Sequence, residues 1–116
     1  MGVVNVHSVL DSLFAGYRSP ERAAEWEVAK GRFALGSEVE GVVVAQFPFG
    51  VFVDIDAGFP ALILVTRLRG RADRQPYNSP ERFPAIGSAV KAWVCVWANR
   101  QIGLTQLEQQ PMLGER

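Results

Sequence analysis

The chain has 116 residues, which is room for one domain with one core. Hydrophobic residues make up 48% and charged residues 21%, the proportions of a globular protein, which excludes a disordered polyelectrolyte. Twelve Lys+Arg balance twelve Asp+Glu, so the formal net charge is zero and a uniformly basic nucleic-acid binder is excluded. The first third has helical spacing. Ser8 is a cap, with Asp11 three residues on, ahead of Val9, Leu10, Leu13 and Phe14 on one side, and Gly16 is a stop. Ser19-Pro20-Glu21 is a second start signal, a cap followed by Pro at the first helical position and an acid against the helix dipole. That helix carries Ala23, Trp26, Lys30 and Phe33 along one side and closes at Gly36, with Trp26 and Phe33 expected in packing.

From Val39 the spacing changes to that of strands. Val39 to Phe47 is valine-rich, and Gly50 to Ile55 alternates Val51, Val53 and Ile55 against Phe52 and Asp54. Phe47-Pro48-Phe49-Gly50 joins them tightly, and Asp56-Ala57-Gly58-Phe59-Pro60 turns into a third strand, Ala61 to Val65. Residues 67–88 form a long connection in which Ser79 opens a second Ser-Pro-Glu-Arg start. Val90 to Trp97 is the fourth strand, Asn99-Arg100 a hairpin turn, and Gln101 to Gln106 the fifth, before a polar tail after Leu107. Five short strands with the long connection between the third and fourth predict a mainly β fold, a five-stranded Greek-key barrel of the OB-fold type with an N-terminal helical extension. The expected division is 1–35 for the extension, 36–107 for the barrel and 108–116 for the tail. Val42 or Val43, Val51, Val53, Leu62, Val94, Ile102 and Leu104 are the expected core.

The zero total hides an uneven distribution. Residues 37–66 carry Glu38, Glu40, Asp54 and Asp56 with no Lys or Arg, a net −4, whereas residues 67–100 carry a net +5, led by Arg67, Arg69, Arg71 and Arg74. Two readings stand open for the arginines. Their forks suit phosphate oxygens, or the four carboxylates neutralise them within the fold. One cysteine, Cys95, and one histidine, His7, leave no disulfide framework and no Cys-based zinc site. Asp54 and Asp56 have no base, nucleophile or metal set around them, so neither an enzyme nor a cofactor is expected. Cys95, in an apolar strand, is expected to be an inert sheet residue. The longest uncharged stretch, 41–53, is too short to span a bilayer, and Met1 to Asn5 lacks the basic region of an export signal; no membrane partner and a cytoplasmic location are therefore expected.

Strung together, several segments resemble the S1 domain, an RNA-binding OB-fold. They are Gly36-Ser37-Glu38-Val39-Glu40-Gly41-Val42-Val43, then Phe49-Gly50-Val51-Phe52-Val53-Asp54-Ile55, then Leu62-Ile63-Leu64-Val65-Thr66. Gly87-Ser88-Ala89-Val90-Lys91-Ala92 and Arg100-Gln101-Ile102-Gly103-Leu104-Thr105 complete the order over residues 36–106. The resemblance implies a ligand face with Phe49 and Phe52 as base-stacking rings. Alternation along the strand points Phe52 away from Val51 and Val53, out of the core. The alternative is that the long loop or the N-terminal helices cover both rings. Leu64 stands where the family has a ligand-facing histidine, and Gln101 where it has an arginine, with Arg100 adjacent. Trp93 adds a further large ring, so the face is more apolar than the family pattern.

The implied function is a non-catalytic module that binds single-stranded RNA weakly, with little sequence preference and strong salt sensitivity. Its candidate residues are Phe49, Phe52, Leu64, Arg67, Arg69, Arg71, Arg74, Trp93, Arg100 and Gln101. The alternative is a protein–protein interaction module that keeps the barrel and has lost RNA, marked by Leu64 and Trp93. Besides single-stranded RNA, the partners open to the chain are another protein or the ribosome. The oligomeric state is left open.

Overall fold

In the computed structural model, residues 6–68 and 83–107 are described. Five strands form a closed barrel: β1 (Glu38–Phe47), β2 (Gly50–Asp54), β3 (Ala61–Leu64), β4 (Ala89–Ala98) and β5 (Gln101–Thr105), in the order β1-β2-β3-β5-β4. β4 pairs back onto β1, and only the β3–β5 pair is parallel. This is the mainly β OB barrel expected from the sequence. The Ser79 helix start and the tail beyond Leu107 lie outside the described residues.

Among the described residues two α-helices precede the barrel, α1 (Val6–Leu13) and α2 (Ala23–Arg32). α1 begins two residues before Ser8, so Ser8 lies within the helix and is not its cap. At the second start the signal works as read: the Ser19 side chain accepts the Glu21 N–H, and Pro20–Arg22 makes one 3-10 turn that leads into α2. The helices sit over the end of the barrel formed by the β2–β3 turn and the β4–β5 hairpin. Trp26 of α2 meets Phe59 edge-on at 5.0 Å, the Trp97 indole N–H donates to the Phe33 carbonyl at 2.9 Å, and Arg22 lies over the Phe59 ring.

Inside the barrel, Val43, Val51, Val53, Ile63, Val94, Ile102 and Leu104 are fully or almost fully buried. Leu62 is a correction. Ala61 and Ile63 face inward, while Leu62 pairs with Phe52 and Gly103 on the outer side. Val43, not Val42, is the core member of its pair.

Candidate nucleic-acid interface

The expected ligand face is built at the barrel end opposite the helices, where β1 turns into β2 and β3 ends. Phe47 and Phe49 flank Pro48, and their rings lie parallel, 5.3 Å apart with 5° between planes. Phe52 stands perpendicular to both, at 5.7 Å and 6.1 Å. Gly50 is required by a close approach: a Cβ there would collide with the Ile63 carbonyl of β3. That contact draws the β3 end against the turn, where the Val65 N–H donates to the Phe49 carbonyl at 2.8 Å. Leu64, the register partner of Gly50, therefore lies beside the aromatic group. Phe49 and Leu64 are 39% and 40% exposed.

Phe52 departs from expectation. Its side chain does leave the barrel core, but it is only 1% exposed. Phe47 and Phe49, brought back over the outer side of β2 by the tight turn, pack edge to face against it. Phe52 is thus a floor on which the open ring rests and not a second open platform.

Beyond Leu64 the chain makes a 3-10 turn, Val65–Arg67. The Arg67 carbonyl accepts the Gln106 N–H at 2.9 Å, and the Gln106 side chain donates to the Lys91 carbonyl, so the start of the arginine-rich segment is tied to the β5 and β4 side. Arg67 lies close enough to Cys95 to favour its thiolate, but burial dominates and pushes the Cys95 thiol up, leaving it protonated near neutrality. Trp93 is half-buried on the outer side of β4, in register with Thr105. Arg69, Arg71 and Arg74 lie outside the described residues. Among the described residues, no ion pair joins Arg67 to Glu38, Glu40, Asp54 or Asp56; the Asp54 carboxylate instead accepts the Asp56 N–H within its own turn.

Two candidates belong to the other end. Arg100 donates from one guanidinium nitrogen to the carbonyls of Tyr17 and Ser19, at 3.3 Å and 3.0 Å. Gln101 hydrogen-bonds the Tyr17 side chain. Arg100 therefore pins the segment between the helices to the hairpin and is not gathered beside Phe49. Tyr17 is fully buried, with its hydroxyl 3.3 Å from His7 Nδ1, and burial pushes its pKa up. Sequence reasoning passed over it, although Leu10, Phe14 and Tyr17 continue one apolar helical spacing.

Among the described residues no group of His, Cys, Asp or Glu is arranged to hold a metal ion, and no helix is long and apolar enough to cross a membrane.

The chain is 32% identical over 69 residues to small ribosomal subunit protein bS1 of Chlamydia muridarum, matching 60% of this chain and 11% of that protein. Over this stretch the chain is similar to the S1-domain family that its motifs resemble. Solved structures agree on the fold. GSP13 from Bacillus subtilis superimposes with a TM-score of 0.53 at 19% identity, covering 72% of this chain and 65% of that one. RNase R of Mycoplasma genitalium, solved in complex with ribose-methylated single-stranded RNA, superimposes with a TM-score of 0.52 at 19% identity, covering 73% of this chain and 15% of that one. The chain thus spans only a small part of the length of two of these relatives. No protein-family model matches the chain.

Proposed function

We propose that this S1 domain is a non-catalytic, cytoplasmic module that binds single-stranded RNA with little sequence preference. The observation that carries this reading is the open Phe49 ring, stacked on Phe47 and flanked by Leu64, at the barrel end from which the arginine-rich segment departs. A base stacks on such a ring whatever its identity, because every base has a π face. Arg67, with Arg69, Arg71 and Arg74 following it in sequence, supplies cations for the phosphates. Leu64 offers apolar contact and no hydrogen bond, which keeps base edges unread. The ribosomal relative and the relative solved with single-stranded RNA support the same ligand class, and the ribosome is one place where such a ligand is met. The test is titration of labelled, mixed-sequence RNA oligomers at low salt. Binding that weakens steeply with added salt supports the proposal; absence of binding overturns it.

One observation favours a second reading. Phe49 and Leu64, side by side at the turn, are both large, apolar and close to 40% exposed, which suits a protein partner. A pull-down with and without nuclease separates the two. A partner that survives nuclease treatment favours the protein interaction, and one lost with the RNA favours the first reading.

A further inference from the structure

The three phenylalanines are not equivalent, and the difference assigns a role to the one the family resemblance did not single out. Phe52 is shut away from solvent and Phe49 is open, while Phe47 is half-buried with its ring parallel to that of Phe49. An exposed phenylalanine next to a turn rotates about χ1 and χ2, and freezing it against a base costs affinity. Phe49 is restrained on two sides before any base arrives. The Phe47 ring covers one of its faces, and Phe52 meets it at 86°. Phe47 is itself placed by the sheet. It is the register partner of Gly50, which has no side chain to compete for the space, and it too meets Phe52 at 86°. Pro48, between the two rings, fixes the backbone that spaces them.

Resting on the reading of Phe49 as the stacking ring, we infer that Phe47 is a positioning residue: it buttresses the Phe49 ring so that one face is held open and ready for a single base. Phe47 acts through Phe49. Its replacement therefore weakens binding only where Phe49 is present, and it leaves the phosphate contacts alone.

A double-mutant cycle tests this, using fluorescein-labelled decauridylate at low salt as the probe, with thermal unfolding of every variant alongside. Phe47→Leu keeps apolar volume and removes the flat face; it is expected to weaken binding about three- to tenfold, the range for releasing one ordered side chain. Phe47→Tyr keeps the flat face and is expected to bind as the parent does. In a Phe49→Ala background, Phe47→Leu is expected to cost nothing further, and the salt slope is expected to match the parent's. The inference is overturned if Phe47→Leu binds like the parent, or if it costs the same factor with and without Phe49. The underlying reading fails separately, and shows it separately, if Phe49→Ala alone leaves affinity unchanged.

Discussion

Val43 of β1 and Val94 of β4 occupy matching positions on two neighbouring strands. The Val43 N–H donates to the Ser88 carbonyl and its own carbonyl accepts the Gly87 N–H, at 3.0 Å and 2.8 Å. The Val94 N–H donates to the Ser37 carbonyl and its carbonyl accepts the Gly36 N–H, at 2.9 Å and 2.7 Å. Each strand is thus entered by a turn, Ala34-Leu35-Gly36-Ser37 or Ala85-Ile86-Gly87-Ser88, that is bonded to the middle of the other. In both turns the serine N–H and hydroxyl donate to the alanine carbonyl, and the glycine has a left-handed φ, 86° and 94°. Immediately past each valine the register shifts, at Val43/Ala45 and at Val94/Val96, so the two bulges that bend the barrel follow the two docking points. Gly36→Ala and Gly87→Ala are each expected to lower stability by about 1–2 kcal/mol, the cost of a left-handed residue with a Cβ, measurable by urea unfolding.

Phe49→Ala and Phe52→Ala are expected to fail differently. Loss of the open ring reduces RNA affinity by about 1–3 kcal/mol and leaves the unfolding midpoint near that of the parent. Loss of the buried ring removes the floor of the aromatic group and costs about 3–5 kcal/mol of stability. Binding isotherms and thermal melts on the two variants separate the roles.

The arginines divide by the same logic. Arg67→Gln is expected to flatten the dependence of log affinity on log salt by about 0.7, the value of one phosphate contact to a single strand. Arg100→Gln removes the bonds to the Tyr17 and Ser19 carbonyls, so it is expected to loosen the helices from the hairpin while leaving the salt slope unchanged. Salt titrations and hydrogen exchange of α1 and α2 read the two outcomes.

High pH is expected to destabilise the fold. Burial raises the pKa of both Cys95 and Tyr17, so the folded state holds their protons longer than the unfolded chain does. Their contribution is fully present below the unfolded-state values, about 8.5 for cysteine and about 10 for tyrosine, and is lost as the pH climbs through the raised folded-state values. Urea midpoints should hold steady around neutrality and fall above that range. Cys95→Ala should remove the earlier part of the fall, and Cys95 should react with a thiol reagent more slowly than free cysteine.

Gly31, near the end of α2, has nothing within 4 Å of where a Cβ would sit. Gly31→Ala is expected to add about 0.5–1 kcal/mol of stability with no change in binding, seen as a higher melting temperature.

The barrel was legible because alternation and turn chemistry are local. The valines of β1 and β2 and the Asn99-Arg100 hairpin are readable from neighbours alone, and both hairpin residues take left-handed φ, 56° and 63°. Ala61-Leu62-Ile63-Leu64 was not fully legible, since every residue is apolar and period two has no contrast to show; pairing with β2 decides that Ile63 faces inward. For Phe52 the direction was readable but its exposure was not, because the rings that close over it arrive by way of a turn. The use of Arg100 depends on carbonyls more than 80 positions earlier in the chain, which no local pattern encodes.

The three tryptophans are distributed so that the molecule carries its own optical labels. Trp26 and Trp97 are set into the helix-covered end, one against Phe59 and the other bonded to the Phe33 carbonyl. Trp93 is on the outer side of β4, two residues before Cys95 and in register with Thr105. With Trp93 replaced by phenylalanine, the remaining emission reports the docking of the helices; with Trp26 and Trp97 replaced, it reports the outer side of β4. One unlabelled chain thus carries two separable signals, and loosening of the helical cap can be followed apart from changes along β4.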